Sequence, residues 1–180
     1  METSKQKIAI KHIQPKILYY GTPVILLSTL NEDGTVNISP LSSSWALGKC
    51  VVLGIGLESK AIENLQRHQE CVINVPSPDL WGNVEKLAPY TGKQQVPEWK
   101  LPVGFSYYKD KYEAGELTPI ESFAVQPTRI VECPIQIEAR VRHIRIPEHT
   151  SLSRRKLFMC MPTSISSSTI IISILGNGVL

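Results

Sequence analysis

Residues 22–39 read TPVILLSTLNEDGTVNIS, and the fold class turns on this stretch. Thr22 to Leu30 is an apolar run rich in β-branched residues, the composition of a strand. It stops at Asn31-Glu32-Asp33-Gly34-Thr35, where Asp-Gly is a strong hairpin signal. Val36-Asn37-Ile38-Ser39 then alternates apolar and polar residues, as a returning strand does. Beyond this hairpin the pattern repeats. Cys50 to Leu57 is a second apolar run, and its Gly54 and Gly56 suggest a bulge or the close approach of another group. Ser59 to Gln69 predicts one clear short helix, capped by Ser59, with Ile62 and Leu65 on one face. Glu70 to Pro76 reads as a strand. Ser77 to Pro119 is a polar, proline-rich excursion with a helical turn at Trp81 to Ala88. Phe123 to Val125 and Arg129 to Val141 complete the strand pattern. Many short strands, one or two short helices and frequent turn residues predict a mainly β fold, a small barrel rather than a βαβ sheet.

Composition narrows the function. The 180 residues fit one domain, and 42% hydrophobic residues supply an ordinary core. A net charge of +3, with basic residues scattered among acidic ones, lacks the footprint of a nucleic-acid partner, although it favours anions slightly. Cys50, Cys71, Cys133 and Cys160 form no CxxC pair and no His-rich spacing accompanies them, so no metal site is expected. The first three fall in predicted strands and are expected to be buried, inert thiols. Met1 to Lys11 lacks the apolar core of a signal peptide, and reduced thiols in a cytoplasmic protein are the expectation. Thr169 to Leu175 is too short to span a membrane.

Two segments could carry chemistry. In Asn37-Ile38-Ser39-Pro40-Leu41-Ser42-Ser43-Ser44-Trp45 a proline followed by three serines offers hydroxyls and backbone N–H groups. Such a turn suits a phosphate or the polar edge of a flat ring, and it is equally what a solvated loop looks like. In Glu58-Ser59-Lys60-Ala61-Ile62-Glu63-Asn64 a helix start favours anions through its unpaired N–H groups, to which Ser59 and Lys60 add a hydroxyl and a positive charge. A capped surface helix with a solvated lysine has the same sequence. His12, His68, His143 and His149 show no partner pattern. Residues alone lead to a small β-barrel suited to a phosphorylated ligand.

Three stretches together, YYGTPVILLSTLNEDGTVNISPLSSSWALG, GLESKAIENLQRHQECVINVPS and AGELTPIESFAVQPTRIVECPIQIEARV, resemble the flavin reductase-like, FMN-binding split-barrel family, which includes flavoredoxins. The resemblance implies a Greek-key split barrel that dimerises and holds FMN at the dimer interface. It also implies that the serine turn and the Ser-Lys-x-x-x-Asn helix start hold the flavin phosphate. Carried onto this chain, that points to Ser42, Ser43, Ser44, Ser59, Lys60 and Asn64, with Asn37 nearby. Many relatives have threonine at the position of Ala61, and a missing hydroxyl would weaken FMN binding by about 0.5–1.5 kcal/mol. Trp45, Trp81 and the Tyr107-Tyr108 pair are candidates to stack on the ring, although packing is the commoner use of such side chains. The expected activity is an FMN-dependent oxidoreductase, either a reductase that takes hydride from NADH or NADPH or a flavoredoxin-like carrier. The flavin itself carries the chemistry, so no catalytic side chain is named. The alternatives are a flavin-binding module without turnover and a non-functional product.

The last alternative comes from the tail. The resemblance covers residues 1–149 and stops there, whereas residues 150–180, with SISSST and IIISILGNGVL, do not follow the family. Relatives continue with segments resembling VHADEH and HIxxxKWxPL. Back-translating Phe158 to Pro162 and starting each codon at the old third base gives Val, then His or Tyr, then Ala; Thr163 to Ile165 can then supply Asp, Glu and His. The same frame allows Ala-Glu-Glu over Ser153 to Lys156 and HIGKWSP over Ser173 to Leu180. The expectation is a change of reading frame near His149 or Thr150.

Overall fold

The computed structural model describes residues 22–47, 50–145, 156–162 and 170–172. His12, His149 and the side chain of Cys160 lie outside the described residues. The predicted hairpin forms as β1 (Ile25–Leu30) and β2 (Val36–Leu41), paired antiparallel from Ile25 opposite Leu41 to Leu30 opposite Val36. Gly34 takes φ +82° in the turn, a left-handed conformation that glycine adopts without penalty. The chain continues through β3 (Ser44–Leu47), β4 (Cys50–Gly56), helix α1 (Lys60–Arg67) and β5 (Glu70–Val75). Two short helices follow, α2 (Trp81–Leu87) and α3 (Lys111–Gly115), then β6 (Ile135–Arg140), β7 (His143–Arg145), β8 (Lys156–Pro162) and β9 (Ile170–Ile172).

Five strands form one sheet in the order β9-β6-β5-β1-β2, and four form a second in the order β7-β8-β4-β3. Chain passes from the first to the second between β2 and β3. Neither sheet closes on itself, so the fold is a split barrel. The prediction of a mainly β protein with few short helices holds. α3 was not foreseen, because a one-and-a-half-turn helix leaves too little periodicity to read.

β1 shows why its run is apolar throughout. Successive side chains point to opposite faces, and both faces are covered. Ile25 and Leu27 join Leu53, Ile55, Ile62, Leu65, Cys71 and Ile73 in the inner cluster between the sheets and α1. Leu26 joins Ile38, Leu87, Leu117 and Ile130 in an outer cluster beneath α2 and α3. Burial pushes the Cys71 thiol up to about 12, as an inert core cysteine requires. Cys133 is also buried and pushed up to about 12, but it sits in a turn, not in the predicted strand.

The span Arg129 to Val141 also differs from the single strand expected. Arg129–Ile130 bridges to Pro119–Ile120, a turn follows, and only Ile135 onward enters the main sheet. Phe123 to Val125 is loop, because its amides turn to a buried carboxylate rather than to a neighbouring strand. Glu138 on β6, only 2% exposed, accepts from the Phe123 and Ala124 N–H groups at 2.8 and 2.7 Å. Arg129 faces the same carboxylate at 3.6 Å and donates to the Glu121 carbonyl.

The backbone of β8 pairs along its whole length with β4 and on its other side with β7. β9 pairs with β6. Both strands come from residues 150–180, the tail that the sequence reading set apart.

Candidate functional site

Ser59 caps α1 as predicted: its hydroxyl accepts from the Ile62 N–H at 3.3 Å. The hydroxyl proton is still available to a ligand, as are the Lys60 and Ala61 amides, which have no acceptor inside a helix. Lys60 stands beside them, its side chain 13% exposed, with its ammonium 2.9 Å from Glu32 and 2.8 Å from Glu63. Burial works against the charge, but Glu63 and Glu32 outweigh it and raise the Lys60 pKa. Lys93 reaches Glu63 from the opposite side at 3.3 Å.

The neighbouring wall is backbone. A Cβ added at Gly92 would lie 2.2 Å from Asn37 Oδ1 and 3.1 Å from Lys60 Cβ, so only glycine fits between these two predicted site residues. Asn37 is buried on β2 and donates to Ser39 Oγ at 3.0 Å. Asn64, fully buried on α1, donates to Thr29 Oγ1 at 3.1 Å and to Asn31 Oδ1 at 2.8 Å. Its own Oδ1 has no hydrogen-bond partner among the described residues. Asn64 therefore fastens α1 to β1 and lies beneath the site. A pocket of about 200 Å³ opens above Lys60, between the β1–β2 turn (Asn31 to Asp33) and a second wall of Gly92, Gln94, Tyr107 and Lys109.

Asn37, Ser59, Lys60 and Asn64 thus gather around one helix start. Ser42, Ser43 and Ser44 lie at the far end of β2, five residues beyond Asn37, or about 16 Å along a strand. There the Ser43 carbonyl accepts from the Gly54 N–H at 2.7 Å, and a Cβ on Gly54 would come within 2.9 Å of Ser43 Cβ. The glycine in that apolar run does mark a close approach. Ala61 is fully buried in the inner cluster, so a threonine hydroxyl at that position would begin in apolar surroundings.

Of the aromatic candidates, Tyr107 lines the pocket, and Tyr108 packs against Tyr90 with ring centroids 5.0 Å apart. Trp45 and Trp81 are 59% and 72% exposed. His68 pairs with Glu70 at 3.2 Å, and His143 is exposed on β7. Gly92 and Lys93 went unread because the proline-rich excursion carries no periodic signal, and one glycine says nothing until its neighbour is known. Among the described residues no cluster of His, Cys, Asp or Glu could hold a metal, and no helix is long and apolar enough to cross a membrane.

The molecule is thus an open barrel in which a lysine-bearing helix start faces a glycine wall. Comparison with known proteins places it in a family. The flavin reductase-like domain matches residues 17–166, and the chain belongs to that family. Uncharacterized protein YdfE of Bacillus subtilis (strain 168) is 61% identical over 152 residues, covering 84% of this chain and 73% of its own length. Flavoredoxin of Desulfovibrio vulgaris (Miyazaki F) has a similar fold, with TM-score 0.65 at 18% identity over 86% of this chain and 73% of that one. So does a Shewanella frigidimarina NCIMB 400 protein described as a flavin reductase with a split barrel domain, with TM-score 0.58 at 16% identity over 78% of this chain and 64% of that one. A flavin-linked oxidoreductase is the general reading that these likenesses support.

Proposed function

We propose that the chain binds FMN and passes electrons through it, with NADH or NADPH as a transient donor, as a homodimer of cytoplasmic protein. The observation that carries the reading is Lys60, held at the start of α1 between Glu32 and Glu63 and walled by the bare backbone of Gly92. Ser59, Lys60 and the first-turn amides of α1 receive the phosphate. The serine turn at Ser42 to Ser44, about 16 Å further along β2, meets the polar edge of the ring. This divides between two ends of an elongated ligand the segments that the resemblance assigned together to the phosphate. Asn37 and Asn64 position the phosphate end, Asn37 through Gly92 and Asn64 through Thr29 and Asn31.

The residues fit the group, with one adjustment. Glu32 sits on an exposed turn and must release Lys60 when a phosphate arrives. When bound, FMN supplies hydride acceptance at its ring. The protein holds both ends of the cofactor, supplies positive charge to the phosphate and screens the ring from water.

The experiment is to load the purified protein with FMN, desalt it and record its absorbance, with light scattering on the same sample. A retained flavin band, bleached by NADH or NADPH, in a particle of twice 20.1 kDa is expected. Lys60→Met should lose most of the band. A band that survives desalting without bleaching by either nucleotide would favour a flavin-binding module without turnover. A wild-type protein that is folded and colourless would sink the flavin reading.

A further inference from the structure

The pocket above Lys60 has a second cation. Lys109 lines it from the wall that it shares with Gly92 and Tyr107, across from the β1–β2 turn. Backbone pairing sets that wall. Tyr90–Thr91 runs parallel to Ser106–Tyr107, and the Tyr108 N–H donates to the Thr91 carbonyl at 3.2 Å. Alternate residues of an extended segment face opposite ways. Tyr107 and Lys109 accordingly line the pocket, while Tyr108 between them turns to the Tyr90 ring. Just beyond, Asp110 caps α3 by accepting from the Tyr112 and Glu113 N–H groups at 3.1 and 3.0 Å, which fixes the backbone on the far side of Lys109.

The Lys109 ammonium is anchored to the facing turn. It lies 2.5 Å from Asp33 Oδ2. Asp33 is itself held, because its Oδ1 accepts from the Thr35 N–H at 3.1 Å and from the Thr35 hydroxyl at 2.6 Å. That hydroxyl accepts from Asn31 Nδ2 at 3.0 Å, and Asn31 Oδ1 accepts from the buried Asn64 of α1 at 2.8 Å. An unbroken series of hydrogen bonds therefore runs from α1 through the turn to Lys109. Glu32, between Asn31 and Asp33, stands apart from that series and reaches Lys60 at 2.9 Å and Arg67 at 3.9 Å. The turn thus carries one acid that can move and one that is built in. When a phosphate takes Lys60, Glu32 still has Arg67, and Asp33 stays with Lys109.

We propose that Lys109 reads the ligand's phosphate as a terminal monoester rather than as one link of a dinucleotide. The inference rests on the reading of the α1 start as the phosphate end of the site. An ammonium has three N–H donors; Asp33 takes one, and two are left for the pocket. A monoester has three terminal oxygens, enough to meet the α1 amides, Lys60 and, from the opposite wall, Lys109. It is also doubly charged above a pH of about 6. Each phosphate of a dinucleotide has two terminal oxygens and one charge, so one of the three sets of donors goes without an acceptor. A donor left unmatched is what discriminates between ligands.

Lys109→Met tests this. The side chain is 57% exposed and its pair with Asp33 is a surface one, so the variant folds with little change in Tm. Affinities for FMN, FAD and riboflavin are read by flavin fluorescence. The expected result is a loss of about fivefold in the FMN-to-FAD affinity ratio, with riboflavin binding unchanged. A ratio equal to that of wild type, or a riboflavin loss as large as the FMN loss, would overturn the proposal. Lys109→Gln gives the same readings should the methionine variant not fold. If wild type binds no flavin, the flavin reading has failed and two small probes decide this one. Inorganic phosphate should raise the Tm of wild type more than dimethyl phosphate does, and Lys109→Met should remove that difference. A difference that persists in the variant, or none in wild type, would overturn the role of Lys109.

Discussion

At the scale of single residues, Gly92 is the most exacting position in the candidate site. Alanine there would put a methyl group against Asn37 Oδ1 and Lys60 Cβ, and one of the two must move. Gly92→Ala is therefore expected to cost about 1–3 kcal/mol of stability, as overpacking does, and to weaken FMN binding together with it. Denaturant titration and flavin fluorescence on the same protein check both, and a variant with unaltered stability would show that the two walls do not meet there. Sequence alone could not reach this residue. Ser59 and Lys60 were legible because a cap and a helix start leave a local pattern, whereas Asn64 and Asn37 were reached through the family resemblance. Gly92 and Lys109 matter only for what lies across from them in space. The serine turn was legible as a polar break in β2, but its distance from Lys60 was not.

At the scale of elements, strands with covered faces read well and loops tied by side chains read poorly. β1, β2 and β5 declared themselves through apolar runs and a turn, whereas Phe123 to Val125 has strand composition and follows Glu138 instead. A second, half-buried acid works in the same way. Glu70 opens β5 and receives Arg140 of β6 at 2.8 Å and the Gln126 N–H at 2.9 Å, binding a strand pair to the same loop. Burial opposes its ionisation, but the Gln126 amide, Arg140 and His68 prevail and hold its pKa below the ordinary 4.5. A depressed acid contributes stability that is fully present above 4.5 and is lost as pH falls through the folded value. Glu70→Gln should therefore lower stability at pH 7 by about 1–3 kcal/mol and narrow its gap to wild type as pH falls toward 3. Thermal unfolding at several pH values measures this, and a gap that stays constant would contradict it.

At the scale of the molecule, β8 is the element that matters most for what the gene encodes. It lies between β4 and β7, inside the second sheet rather than at its edge. We propose that the stretch after His149 reflects a change of reading frame and that the barrel strand here was originally spelled VHADEH. Sequencing the coding DNA across codons 145–180 is expected to show bases that spell this motif one position out of register. An uninterrupted frame whose codons cannot spell it would rule the proposal out. A protein with the restored frame should bind FMN more tightly and resist aggregation better, because a well-matched inner strand leaves fewer edges bare.

Lys60 has a consequence of its own. Because Glu32 and Glu63 already neutralise it, the mouth of the site is not a positive hole that draws in any passing anion. It behaves like a bead of ion-exchange resin delivered with its counter-ions in place: an incoming group is taken up only by substituting for a carboxylate. Weakly charged competitors such as chloride gain nothing from that trade, whereas a dianion with several oxygens does, so under the proposed function selection for phosphate begins before the rest of the ligand makes contact.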